Sequence, residues 1–282
     1  MTSKKKKNIQ ILLILIFILL IILVRIFIGQ PSYISSGSME NTLMSGDYVW
    51  VNKLTYGPVM PRRFADIPLI NAFTWIKRLR EKDKQNDWGY NRLKVGRSPL
   101  LGDIAVYSST ETQGVWIVKR IAGCPGDTIL IKEGELIVNG QSSDHMSTII
   151  KTESGDQARF PFNTTWTSHN YGPLVIPGKE VRIKLDKDNY LWIKDIAKTE
   201  GRTLTCARDS IFFCNGEKIN AYTFNKDYYF MLGDNRRNSL DSRFSGFISE
   251  QKIEGIISFV LFSIDTDSGA NVKKKHYFKK VH

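Results

Sequence analysis

Cysteine is scarce, three in 282 residues, which excludes a small fold stapled by disulfides. Histidine is almost as rare. His145, His169, His276 and His282 are the four present, and none lies in a segment dense in other reactive side chains, so a Ser-His-Asp hydrolase lacks a well-placed base. Acids are missing altogether from residues 1–30 and from residues 271–282, each of which carries five Lys or Arg. No fixed-period repeat occurs. After Ile28 no apolar run is long enough to cross a bilayer, the nearest, Ile256–Ile264, reading as a strand. Disorder is excluded by the 42% of hydrophobic residues.

The formal charge of +12 and pI near 9.5 point first to an anionic partner. Its distribution argues against nucleic acid. Residues 1–30 hold +5 and residues 271–282 another +5, which leaves +2 for the body between them. The amino end explains its own share. From Ile9 to Ile28 only Gln10 and Arg25 interrupt an apolar run, and twenty helical residues span roughly 30 Å, the thickness of the hydrocarbon layer. Lys4–Lys7 hold the preceding end in the cytoplasm by the positive-inside rule, which sends everything after Gln30 to the far side. A cleaved signal peptide is the competing reading, with Ser36-Gly37-Ser38 as a small-x-small site; the length of the apolar run favours an uncleaved anchor.

Beyond the anchor, short β-branched and aromatic runs alternate with Gly, Asn, Asp and Pro, the pattern of a mostly β body. Candidate strands are Tyr48–Leu54, Asp103–Ser108, Val115–Ala122, Thr128–Lys132, Glu135–Val138, Glu180–Leu185, Tyr190–Ile193, Ser210–Cys214, Tyr228–Leu232 and Ile256–Phe262. The domain reading is a cytoplasmic amino end at 1–8, an anchor helix at 9–29, a β-rich extracytoplasmic domain at 30–270 and a basic tail at 271–282. Insertions are expected near 58–99, with a helix over Phe73–Lys84, and near 141–206, opening on the polar stretch 141–178. Cys206 and Cys214 flank a possible hairpin and either pair or stay as two thiols; Cys124 reads as a small apolar residue.

Three segments are richer in reactive residues than strand packing requires. Ser35–Leu43 holds a Ser-Gly-Ser that by itself is either a nucleophile or a loop. In Val115–Asp127, period-two alternation places Lys119 on one face with Val115, Ile117 and Ile121. On a core face desolvation lowers its pKa and makes it a base; at a strand edge it snorkels and stays ordinary. Asp234–Arg243 is a charged loop able to satisfy itself by ion pairing. A metal site there is set aside, because Asp234 and Asp241 have no His or Cys beside them.

Taken together, SGSMENTL from Ser36, GDYVWVNKLTYG from Gly46, GDIAVY from Gly102 with VKRIAGCPGD from Val118, and LGDNRRNSLDSR from Leu232 resemble, in order, the motif blocks of the type I signal peptidases. These are membrane-anchored serine proteases of the Ser-Lys class. The resemblance implies a β-rich signal-peptidase fold and Ser38 as nucleophile with Lys119 as general base. It implies an oxyanion hole from the Ser38 N–H and the Ser36 hydroxyl, and Ser239 hydrogen-bonded to the Lys119 amine. Asp234, Asp241, Arg243 and Arg120 would hold the surrounding loops, with Met39 beside the site. It implies neither cofactor nor metal. The partners would be signal-peptide-bearing preproteins, cut after small residues at −3 and −1, and the lipid bilayer; nucleic acid is not among them. A specialised relative processing a few pilus or conjugation proteins, or a non-catalytic exported binding domain, are the alternatives. Two departures stand out, Asn41 in place of the family's usual proline and Cys124 in place of an aliphatic residue.

Overall fold

The computed structural model describes residues 3–69, 76–109, 114–143, 158–161, 164–207, 211–265, 271–273 and 277–281. In chain order the elements are α1 (Ser3–Leu23), β1 (Gly29–Tyr33), β2 (Asp47–Asn52), α2 (Lys77–Gln85), β3 (Ile104–Ser108), β4 (Trp116–Gly123), β5 (Thr128–Lys132), β6 (Glu135–Val138), β7 (Gln141–Ser142), β8 (Tyr171–Val175) and β9 (Arg182–Lys184). There follow α3 (Tyr190–Thr199), β10 (Leu204–Ala207), β11 (Ile211–Cys214), β12 (Glu217–Ile219), β13 (Ala221–Thr223), β14 (Tyr228–Leu232), α4 (Ser242–Ser245), β15 (Ile248–Ser249), β16 (Ile253–Asp265), β17 (Asn271–Lys273) and β18 (Lys279–Lys280). Strands dominate, as the alternation predicts. They belong to two compact units, one of Met1–Tyr33, Tyr48–Ser98 and Glu254–Val281, the other of Ile34–Asp47 and Pro99–Ile253.

The first unit begins with α1, which passes through a π-helical turn, Val24–Ile28, straight into β1. Lys5–Ile28 is long and apolar enough to cross a membrane, with mean hydropathy 3.6. β1 pairs with β2 along its whole length, from Gly29 opposite Asn52 to Tyr33 opposite Tyr48. Only glycine fits at the junction, since a Cβ on Gly29 would lie 2.2 Å from the Val51 carbonyl oxygen. Lys53 Nζ donates to the Arg25 carbonyl at 2.9 Å and so caps the end of the span. β2 is followed in the sheet by β16, and Tyr48 stacks on Phe262 at 4.6 Å. Of the basic carboxyl end, the described parts lie on this sheet: β17 and β18 both pair with β16, and the Phe278 ring is tilted against Phe259 at 6.0 Å. Segment 53–98 leaves β2 and returns as a hydrogen-bonded excursion, with Val59 bridged to Arg92 and Met60 N–H on the Asn91 carbonyl. Of the helix expected over Phe73–Lys84, α2 is the described part, and Phe73–Trp75 lie outside the described residues.

The second unit holds four strand groups, β3-β4-β14-β15, β7-β6-β5-β8, β10-β11-β12 and β9-β13. Phe160, Tyr171, Trp192, Phe224 and Phe230 fill its core, with Phe247 packed against them. The expected strand at Tyr190–Ile193 is instead the start of α3. Its buried residues are Trp192, Ile193, Ile196 and Ala197, the 3–4 spacing of a helix, which becomes visible only when the pattern is followed past Ile193. Cys206 and Cys214 are free: Cys214 is opposite Leu204 and Cys206 opposite Phe212, so the two thiols are two places out of register.

Candidate active site

Every residue given a role at the site by the sequence lies in the second unit. Ser36 is extended (φ −129°, ψ 153°) and leads into a single 3₁₀ turn, Gly37–Met39. Ser38 is the second residue of that turn, so its N–H precedes the first intrahelical acceptor. Met39 and Leu43 are buried and anchor the segment. Met39–Thr42 then forms a type II turn: Glu40 has φ −54° and ψ 148°, Asn41 has φ +75°, and Thr42 N–H donates to the Met39 carbonyl at 3.1 Å. A proline ring fixes φ near −65°. Asn41 is therefore a change of backbone shape as well as of residue, because no proline adopts the left-handed conformation found here.

Lys119 reaches this turn from β4. Its Nζ donates to Ser38 Oγ at 2.7 Å, with both residues buried. Ser36 Oγ lies 3.3 Å from Ser38 Oγ. The apolar face expected around Lys119 is only half formed, since Val115 is exposed and Ile117 half-buried. Burial comes instead from the second half of the strand, where Lys119, Arg120, Ile121 and Ala122 are all covered. Desolvation drives the Lys119 pKa from 10.5 down to about 8, against the opposing pull of the Asp241 and Asp234 carboxylates, while Arg243 assists the lowering.

The loop after β14 supplies the frame. Arg120 grips Asp234 with two hydrogen bonds of 2.8 and 2.7 Å, and Thr42 Oγ1 donates to the same carboxylate. Asp234 thus ties the turn that carries Ser38 to the residue beside Lys119. Asp241 is fully buried against Arg243 in a second bidentate pair, both bonds 2.8 Å. Desolvation raises the Asp241 pKa, yet Arg243 and the Gly233 N–H together hold it below its ordinary value. Arg243 also donates to the Ser168 and Arg236 carbonyls. Breaking such a pair from one side leaves an uncompensated buried charge, at a cost of about 3–5 kcal/mol.

One expected contact is absent. Ser239 Oγ is buried and makes no hydrogen bond to Lys119; its hydroxyl lies instead near Asp241, whose carboxylate it helps to keep ionised. The hydroxyl is turned toward Gly233, where a Cβ would lie 2.3 Å from it and 2.6 Å from the Ser38 carbonyl oxygen. The remaining expected residues, Ser36, Ser38, Met39, Lys119, Arg120, Asp234, Asp241 and Arg243, fall within this one unit. His169, the histidine among the described residues, keeps a buried Nδ1 without a partner, and His145, His276 and His282 lie outside them. Sequence reasoning missed Asn235, whose N–H donates to the Ser38 carbonyl at 3.0 Å and whose side-chain amide donates to Glu40 at 2.8 Å. It also missed Thr42 and Gly233. All three sit inside the quoted motif blocks, but composition offers no reason to single them out from their neighbours.

A buried amine in contact with a serine hydroxyl, beside donors at the start of a helical turn, is equipped for acyl transfer. Comparison with known proteins points the same way. The family profile described as signal peptidase, peptidase S26, matches residues 8–262. A Signal peptidase I of Helicobacter pylori is 30% identical over 264 residues, covering 92% of this chain and 83% of its own length. Another of Haemophilus influenzae is 26% identical over 262 residues, 87% of this chain and 67% of its own. A crystal structure of a signal peptidase I from Enterococcus faecalis covers 57% of this chain and 98% of its own at 19% identity, with a TM-score of 0.27, too distant a likeness to bear on the site.

Proposed function

The chain belongs to the signal peptidase family, peptidase S26, and on that premise we propose that Ser38 is its nucleophile and Lys119 its general base. The enzyme is a signal peptidase I type serine endopeptidase that removes N-terminal signal peptides from preproteins. The observation that carries the assignment is the buried 2.7 Å contact between Lys119 Nζ and Ser38 Oγ.

Neutral Lys119 accepts the Ser38 hydroxyl proton as Oγ attacks the scissile carbonyl. The Ser38 N–H and the Ser36 hydroxyl stabilise the resulting oxyanion; losing one such donor typically costs about 10²–10³ in rate. The ammonium of Lys119 then gives its proton to the leaving amine, which departs as the new amino terminus of the mature protein. An ester of the signal peptide remains on Ser38. Water attacks this ester with Lys119 again taking the proton, and the signal peptide leaves as a free acid. Ser239 acts through the loop that carries Asp241, while the Arg120–Asp234 and Asp241–Arg243 pairs fix the strand and loops around the two reacting groups. Small residues at −3 and −1 are the substrate feature selected.

Lys5–Ile28 spans the bilayer once, with Lys4–Lys7 on the cytoplasmic side and the catalytic unit on the other. The full pairing of β1 with β2 supports retention of the anchor, since a cut at Ser36-Gly37-Ser38 would detach β1. The nucleophile lies ten residues beyond Ile28, within roughly 36 Å of chain from the membrane, where cleavage sites of exported preproteins emerge.

The test is incubation of the purified protein, and of its Ser38→Ala and Lys119→Ala variants, with a preprotein, followed by sequencing of the new amino terminus. Wild type should release a mature protein whose cut follows a small residue, and both variants should be inactive while folded. Full activity in either variant contradicts the assignment.

A further inference from the structure

The +12 of the chain is not shared between its two units. Met1–Tyr33, Tyr48–Ser98 and Glu254–Val281 sum to +14, whereas the second unit is slightly acidic at −2. Removing the four lysines at Lys4–Lys7, which precede the span, still leaves +10. Most of that is not in the carboxyl-terminal residues: 58–98 contains ten Lys or Arg against four Asp or Glu, a net +6 in 41 residues.

The topology fixes where this charge lies. β2 runs toward the membrane, because its last residue, Asn52, is opposite Gly29, the first residue after the π-helical turn. The next residue, Lys53, bonds to Arg25 inside that turn. Segment 53–98 therefore leaves the sheet at the end nearest the bilayer and folds back there, with Arg97 N–H on the Thr55 carbonyl and Leu93 N–H on the Pro58 carbonyl. Within it α2, tied to Phe64 and Ala65 through Asp83, exposes Lys77, Arg78, Arg80 and Lys82. Phe64 on the outgoing stretch and Trp88 on the returning one, each 53% exposed, meet edge to face at 4.9 Å beside Arg62 and Arg63. Arg62 also lies over the Tyr90 ring at 5.3 Å. Exposed basic residues with an exposed tryptophan, rooted at the end of a span, have the chemistry of the headgroup layer.

We propose that residues 58–69 and 76–98 form an interfacial arm that binds the phosphates of anionic phospholipids on the exported side of the membrane. The occupant is a lipid surface, favoured over an acidic polypeptide because the arm is rooted where the span ends and couples its charge to exposed aromatics. Each basic residue near such a surface contributes about a fivefold gain in partition. The contact holds the first unit down on the bilayer independently of the catalytic residues.

Hydrogen exchange on the full-length protein, reconstituted in liposomes of phosphatidylcholine alone or with phosphatidylglycerol, tests this. Amides of 58–69 and 76–98 should exchange at least about fivefold more slowly in the anionic liposomes. The protection should fade as salt is raised, since the charges are exposed. A Lys77→Gln, Arg78→Gln, Arg80→Gln, Lys82→Gln variant should lose it while cleaving a soluble peptide at the wild-type rate, which shows that it is folded. Equal exchange in both lipids overturns the proposal, as does protection that arises only when a preprotein is added, the behaviour of a polypeptide-binding arm.

Discussion

At pH 7 a lysine with the ordinary pKa of 10.5 is neutral in roughly one molecule in 3,000, whereas at the value of about 8 found for Lys119 roughly one in ten is neutral. Burial on the second half of β4 thus multiplies the available base several hundredfold. The two carboxylates that frame the site work against this, and their ion pairing with Arg120 and Arg243 keeps them from restoring the ordinary value. The direction of the pH dependence follows: the working form is the deprotonated one. The rate constant for acylation should rise about tenfold per pH unit below 8 and level off above it, measured in single-turnover cleavage of a preprotein. A profile already flat from pH 6 would contradict a base that titrates near 8. Ser38 and Lys119 could be singled out in the sequence because the motif blocks occur in order, and their 2.7 Å contact is what supports pairing them. The hydroxyl of Ser239 was misread, since its direction depends on a rotamer packed against Gly233, which no sequence pattern encodes.

Among elements, the nucleophile turn is the one whose shape departs from family expectation. Asn41 holds φ +75° in the second central position of a type II turn, where Asn and Gly are tolerated. Asn41→Pro should therefore lower the melting temperature and displace Glu40 from Asn235, with a fall in cleavage rate, whereas Asn41→Gly should leave both near wild type. Thermal unfolding together with the cleavage assay checks this, and a stabilised, fully active Asn41→Pro enzyme would show that the turn is shaped otherwise. The strands that were legible, such as β5, β6 and β14, have β-branched or aromatic residues bounded by turn signals. Among those that escaped, β1 with its Pro31, β8 with Pro173 and short strands such as β7, β12, β13 and β15 are too short or too polar to show a period of two. α3 was misassigned for the opposite reason, because its first four residues are compatible with either period.

For the whole molecule, charge and chemistry are segregated. The unit that begins with the span is strongly basic, and the unit that holds Ser38 and Lys119 is close to neutral. Charge counted by sequence end located the five basic residues at each terminus but averaged away the excursion at 58–98, whose +6 is offset in the same stretch by the acids of the catalytic unit. Only the division into units makes that contrast visible. The apolar span itself was legible to within a few residues, since an unbroken run of Ile, Leu, Phe and Val has few alternative readings.

The central claim is that Ser38, activated by Lys119, carries the signal peptide as an ester. Intact-protein and peptide mass spectrometry of an acid-quenched reaction with a preprotein measures this directly. The wild-type enzyme should gain the mass of the signal peptide on the tryptic peptide containing Ser38, and Ser38→Ala and Lys119→Ala should gain none. An ester on any other residue, or an unmodified Ser38→Ala variant that still cleaves, would contradict it.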